Sequence, residues 1–304
     1  MLMLIAFLCL PPTAETAVPV HSHNDYWRSR PLQEALEAGC LSIEADVVVR
    51  EGKLMVGHGP REVTPERTLT SMYLSPLAEI VRARQRVYPQ DKRPLILLVD
   101  VKTGWSSSKP ALNAVLEEYA DILKAPAGHH QGDGGVLLAV SGSGSDQKGA
   151  PCGIDGRITG LGKQLSFLEK PMISQSFRSR FRWSGLGTLD PDQQTKLRAL
   201  SERVKVEGRL LRLWAAPDTP EAWRTLIDCG VGLINTDQPT KAAKCVRELL
   251  PNRPQFRPAH LTGRYTKPGR IWCDLRPNSL SPAVFGCLEL LHALCKSTTC
   301  IHNH

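Results

Sequence analysis

Apolar runs of strand length alternate with amphipathic helices along most of this chain, and few folds accept that alternation. Leu95–Val101 is apolar almost throughout, as strands covered on both faces are. Residues 135–140 and 209–214 form further strand runs. The spacing of apolar residues predicts helices over 76–84, 111–123 and Pro191–Val206. Thr219-Pro220-Glu221 marks another helix start, a capping residue followed by proline at the first helical position, and this helix closes near Gly230. Residues 231–237 and Pro239–Leu249 supply the last strand and the last helix. The first unit has the same order: a strand ending at His21-Ser22-His23, an amphipathic helix over 31–39 closed by glycine, and the strand 42–47. Residues 53–58 form a hairpin arm, and 154–157 and 171–175 are two more strand ends with short or missing helices. Eight strands, mostly alternating with helices, predict an α/β fold, a TIM (β/α)8 barrel over residues 18–250.

A chain of 304 residues can bury a full core. Its net charge of +8 is unevenly spread, because residues 251–304 hold seven Lys+Arg against two Asp+Glu. That segment, rich in Pro, Arg and Ser, is read as a basic, irregular and disordered tail beyond the barrel. The body has no basic stripe interleaved with aromatics, so nucleic acid is not an expected partner. A mildly basic mouth suits an anionic substrate. The first ten residues are apolar and lead into Pro11-Pro12-Thr13-Ala14-Glu15-Thr16-Ala17. This pattern reads as a secretory leader over 1–17, too short to span a bilayer; the plainer alternative is an apolar N-terminal stub. A secreted monomer with peripheral membrane contact is the expectation. None of the nine cysteines forms a C-x-x-C pair, which argues against zinc.

The chemistry gathers at strand ends. Side chains two apart on a strand share a face, so His21 and His23 point one way, as do Glu44 and Asp46. Two carboxylates among Ile43, Val47 and Val48 are costly to bury without a cation. Neighbouring Arg or Lys is one source of that charge and a metal is the other. Asp100 adds a third carboxylate and Lys102 follows on the same face; with water and substrate oxygens, such a set suits Mg²⁺ or Ca²⁺. His21, His23 and His58 offer imidazoles for proton transfer, one to deprotonate a nucleophile and one to protonate a leaving oxygen, and either of the first two can instead bind metal or substrate. Lys102 would offset phosphoryl charge. Asn24, Asp155, Arg157, Trp214 and Asp237 end strands or lie just past them, as substrate-binding candidates. Each has a structural alternative: an Asp155–Arg157 ion pair, a helix cap at Asp237, packing at Trp214. Ser141-Gly142-Ser143-Gly144-Ser145 looks like a phosphate loop but lacks the following G-K-[ST], and no G-x-S-x-G elbow occurs.

His21 with Asn24, Ser42-Ile43-Glu44-Ala45-Asp46-Val47, Gly57-His58 and Val99-Asp100-Val101-Lys102 together resemble the phosphatidylinositol-phospholipase-C-like phosphodiesterases. That superfamily includes glycerophosphodiester phosphodiesterases and spider-venom sphingomyelinase D toxins. His21-Ser22-His23-Asn24-Asp25-Tyr26, Pro31-Leu32, Asp155-Gly156-Arg157, Leu211-Arg212-Leu213-Trp214 and Ile234-Asn235-Thr236-Asp237 are most similar to the subgroup named after the fungal altered inheritance of mitochondria protein 6. The resemblance implies a barrel with a divalent metal on Glu44, Asp46 and Asp100 and paired histidines as acid and base. It also implies attack on the phosphate by a neighbouring hydroxyl to give a cyclic phosphodiester. The resemblance favours His21 as the first histidine, because its spacing to Asn24 fits the pattern of the venom toxins. The chain departs from the glycerophosphodiesterase pattern at Ser22-His23 and at His58-Gly59. The expected activity is metal-dependent hydrolysis of a glycerophosphodiester or phospholipid headgroup. The alternatives are a non-catalytic barrel that binds a phosphorylated ligand or partner, and a hydrolase for another bond.

Overall fold

The computed structural model describes residues 12–126, 134–143, 150–163 and 165–250. Residues 1–11 of the expected leader and the expected tail 251–304 lie outside them. The strands are β1 (Val18–Ser22), β2 (Cys40–Arg50), β3 (Lys53–Val56), β4 (Leu95–Val101), β5 (Val136–Gly142), β6 (Gly153–Ile154), β7 (Met172–Ser176), β8 (Leu210–Trp214) and β9 (Ile234–Thr236). The helices are α1 (Gln33–Ala38), α2 (Ser75–Arg84), α3 (Trp105–Glu118), α4 (Pro191–Val206), α5 (Pro220–Asp228) and α6 (Pro239–Leu249).

One parallel sheet runs β6-β5-β4-β2-β1-β9, with β3 folded back antiparallel on β2. Strands β7 and β8 form a parallel pair. Two parallel bridges, Gly156 to Ile173 and Arg212 to Leu233, join that pair to β6 on one side and β9 on the other. Eight parallel strands therefore close into a barrel. Gly232 fits the seam because a Cβ there would stand 2.8 Å from the Leu211 nitrogen. Among the described residues no α-helix follows β5 or β6, where one 3₁₀ turn (Ile158–Gly160) replaces it.

The core is the ring of strand side chains packed under the helices, with Ile43, Leu97, Leu98, Leu138, Ile173 and Leu233 almost inaccessible. Two sequence expectations shift. The helix expected over 111–123 forms earlier, at Trp105–Glu118, with Pro110 inside it. It starts where the N–H groups of Ser107 and Ser108 reach the Gly104 carbonyl. It stops short because Leu123 bridges to Val136 as a strand residue. The strand expected over 231–237 shrinks to Ile234–Thr236. The described cysteines, Cys40, Cys152, Cys229 and Cys245, are buried free thiols, and burial pushes Cys152 up to about 12.

Residues 14–17 are tied to the barrel. The Ala14 N–H donates to the Leu36 carbonyl at 2.9 Å and the Gln90 N–H to the Glu15 carbonyl at 3.0 Å. Ala17 donates to Asp91 Oδ2 at 3.2 Å and accepts from Arg93 Nη2 at 2.9 Å. Burial raises the Asp91 carboxyl, but its bonds to Arg93 outweigh burial and hold it below the ordinary value. A depressed carboxyl stabilises the fold above its unfolded pKa of ~3.9 and loses that contribution as pH falls through the folded value. Asp91→Asn is thus expected to lower the thermal midpoint at neutral pH, by roughly 1–3 kcal/mol of stability. The gap from the parent should close in strong acid; thermal melts across pH check both.

Candidate active site

Parallel strands of a closed barrel deliver their carboxyl ends to one mouth. Ser42, Glu44 and Asp46 alternate inward along β2, and Asp46 pairs in register with Asp100 on β4. His21 on β1 faces Ser42. Its ring is fully buried, with Nδ1 2.8 Å from Ser42 Oγ and Nε2 3.4 Å from Glu44 Oε2. Burial, reinforced by Arg212, lowers His21 to about 4, so it is a neutral ring in the barrel floor. His23 lies one residue beyond β1, nearer the mouth. Its Nδ1 is 2.8 Å from Asp237 Oδ1 and its Nε2 3.7 Å from Glu44 Oε2. Burial acts to lower His23, but the bond to Asp237 and the charge of Glu44 outweigh it and the net shift is upward. His58, past β3, places Nδ1 2.8 Å from Asp46 Oδ2 and keeps 57% of its side chain exposed.

The carboxylates differ in their partners. Glu44 Oε1 accepts from Arg212 Nη2 at 3.1 Å. Burial raises Glu44, yet Arg212 overcomes it and holds the carboxyl well below the usual range. Asp46 Oδ2 accepts from Tyr26 at 2.9 Å and pairs with Lys102 at 2.9 Å, while burial leaves the carboxyl raised overall. Asp100 pairs with Lys102 at 2.5 Å and accepts from Ser141 Oγ at 2.9 Å. One oxygen from each of Glu44, Asp46 and Asp100 lies within 4.8 Å of the others. Asp46 Oδ1 is buried with no hydrogen-bond partner. Three hard oxygen donors, one of them orphaned, fit a divalent cation.

Gly142, at φ +66°, ends β5 against this cluster, and a Cβ there would fall inside van der Waals contact of Asp100 Oδ1 and the Val101 carbonyl. Gly142→Ala is expected to weaken Mg²⁺ or Ca²⁺ affinity at least tenfold by moving Asp100, on the scale of disturbing a ligand's support. Isothermal titration against the parent checks this.

Of the remaining candidates, Asp237 bonds His23, and the residue at the start of α6 is Gln238, so Asp237 is not that helix's cap. Asn24, at φ 47°, has its N–H 3.4 Å from Glu44 Oε2. Asp155 and Arg157 form the ion pair offered as the structural alternative, at 2.9 Å. Burial raises the Asp155 carboxyl despite Arg212 and Arg157 beside it. Trp214 is 44% exposed at the end of β8. Sequence reasoning singled out neither Arg212 nor Tyr26 as a site residue. Arg212 is buried and also bonds Asn235 Oδ1 at 2.8 Å, with Asp155 Oδ2 at 3.9 Å. A lone arginine between Leu211 and Leu213 was the available signal.

Residues 13–123 match the AIM6-like phosphodiesterase domain. The altered inheritance of mitochondria protein 6 homolog of Arthroderma benhamiae is 30% identical over 265 residues, covering 75% of this chain and 83% of the relative. The chain belongs to the altered inheritance of mitochondria protein 6 family. The Kluyveromyces lactis member is 49% identical over 70 residues, 22% of this chain and 17% of that protein. Among solved structures, a glycerophosphodiester phosphodiesterase from Parabacteroides distasonis superposes with a TM-score of 0.46 at 15% identity, over 79% of this chain and all (100%) of that one. A calcium-dependent phosphoinositol-specific phospholipase C from Pseudomonas gives 0.48 at 14% identity, over 77% and 94%. In this family member the matched domain holds His21, His23, Glu44, Asp46, His58, Asp100 and Lys102, whereas Asp155, Arg212 and Asp237 come from later strands.

Proposed function

We propose that this protein hydrolyses a phosphodiester, a glycerophosphodiester or a phospholipid headgroup, using His23 and His58 as the proton-transfer pair and a divalent cation on Glu44, Asp46 and Asp100. One observation carries the reading. Both imidazoles are anchored through Nδ1 to a carboxylate, His23 to Asp237 and His58 to Asp46. A carboxylate accepts only, so each Nδ1 carries the proton and each Nε2 is left for exchange with substrate. His21 has both nitrogens engaged and no exposed surface, which favours His23 over the His21 preferred from spacing.

One imidazole takes the proton of the attacking hydroxyl as its oxygen bonds phosphorus. The other gives its proton to the departing oxygen as the second P–O bond breaks. Lys102 faces the same carboxylates and supplies fixed positive charge where phosphoryl oxygens gather. Glu44, Asp46 and Asp100 would hold Mg²⁺ or Ca²⁺, which contributes further neutralisation of phosphoryl charge.

Purified full-length protein assayed on glycerophosphodiesters, lysophospholipids and sphingomyelin, with Mg²⁺, Ca²⁺ or chelator, tests this. Turnover is expected with metal, and its loss in chelator and in Glu44→Ala/Asp46→Ala. A folded, metal-binding protein with no turnover on any substrate would favour a binding barrel instead.

A further inference from the structure

The chain leaving β7 turns at once beside the end of β8, because the Phe177 N–H donates to the Trp214 carbonyl at 2.8 Å. The N–H groups of Arg180 and Phe181 both return to the Phe177 carbonyl, at 2.9 and 2.8 Å. Phe177 and Phe181 are buried with ring centres 5.0 Å apart. This apolar underside fixes the turn and leaves Arg178, Arg180 and Arg182 in solvent. None of the three guanidinium groups has an ion-pair partner among the described residues. The next acidic residue, Asp190, is occupied in capping α4. Leu186 follows at 82% exposure, and Gly185 packs against Pro217 of the loop after β8. Both loops leave strand carboxyl ends, so the arginines, Leu186 and the exposed edge of Trp214 share the rim of the mouth.

We propose that this rim is a docking surface for an anionic phospholipid bilayer. Unpaired guanidiniums bind lipid phosphates by charge and by paired hydrogen bonds. An exposed leucine and an exposed indole beside them gain from entering the interface. A nucleic acid would answer the arginines but leave Leu186 in water. Docking in this orientation sets the mouth against the surface that presents phosphodiester headgroups. That consequence rests on the phosphodiesterase reading, while docking itself does not.

Co-sedimentation of the full chain with phosphatidylcholine vesicles, with and without phosphatidylserine, tests the proposal. The protein is expected to pellet with the anionic vesicles, stay in solution with the neutral ones, and release as salt is added. Arg178→Gln/Arg180→Gln/Arg182→Gln should weaken binding on the order of a hundredfold, roughly fivefold per arginine. Leu186→Ser should weaken it several-fold, and both variants should hydrolyse a soluble phosphodiester as the parent does. Because docking is read by sedimentation, a failure of docking and a failure of hydrolysis are separate results. Equal pelleting on neutral vesicles, or a triple variant that binds like the parent, overturns the proposal. Binding to duplex DNA with anionic vesicles ignored overturns it in favour of a nucleic acid.

Discussion

His58→Ala is expected to lower kcat/KM on a phosphodiester by about 10²–10⁴-fold, the usual worth of a positioned acid or base, with the thermal midpoint unchanged. The fold should not notice because the side chain is 57% exposed. Its recorded contacts are the Asp46 bond, a Glu62 carboxylate on its backbone N–H, and the Trp27 ring at 6.3 Å. His23→Ala should cost a similar factor. The two losses differ in kind. A general acid matters most when the leaving oxygen is basic, so a nitrophenyl ester should restore much of the rate in the variant that lacks the acid. The variant that lacks the base should gain nothing from it. Steady-state kinetics on an alkyl and a nitrophenyl diester separate the two. If neither substitution slows turnover, or if the activated ester rescues both equally, the two-imidazole scheme is wrong.

The second large effect falls on stability. Arg212→Ala should destabilise the protein by roughly 3–5 kcal/mol, the cost of leaving a buried charge uncompensated. Arg212 reaches Glu44 at 3.1 Å and Asp155 Oδ2 at 3.9 Å, and all three side chains are almost wholly buried. Removing the guanidinium leaves the buried Glu44 and Asp155 carboxyls with one cation fewer. For a domain of this size, the thermal midpoint should fall by about ten degrees. Arg212→Lys should recover only part, since an ammonium cannot span Glu44 and Asn235 as the planar fork does. Glu44→Gln placed on Arg212→Ala should relieve part of the loss, and thermal melts of the parent, Arg212→Ala, Glu44→Gln and the double variant close the cycle. Strict additivity would show that the two groups do not interact. Mg²⁺ or Ca²⁺ should raise the Arg212→Ala midpoint more than the parent's, because a bound cation takes over part of the missing charge.

Much of this was legible in the chain because barrel strands are local objects. The apolar run 95–101, the capped helix start at Thr219-Pro220 and the helices Pro191–Val206 and Pro239–Leu249 each follow from periodicity and end signals within one element. The misplaced helix at 111–123 shows where that logic stops. The observed helix begins at Trp105 and ends because Leu123 is captured by β5. Capture by a strand that comes later in sequence carries no local mark.

The candidate site divides in the same way. The sequence alone determined that paired carboxylates and imidazoles stand at neighbouring strand ends, because a period of two fixes which side chains share a face. It also determined the fold class, since alternating strands and helices of these lengths have few ways to bury their apolar faces. Only the tertiary structure decided which histidine faces the mouth. His21 and His23 point the same way along the chain, but their depths differ, and depth depends on Ser42 from β2 and Asp237 after β9. It alone brought Arg212 to Glu44 across 168 positions of chain. Ring closure turns β8 and β2, with β9 and β1 between them, toward one interior, and burial in a medium of low dielectric makes each charge answer to whatever charges that closure brings within a few ångströms.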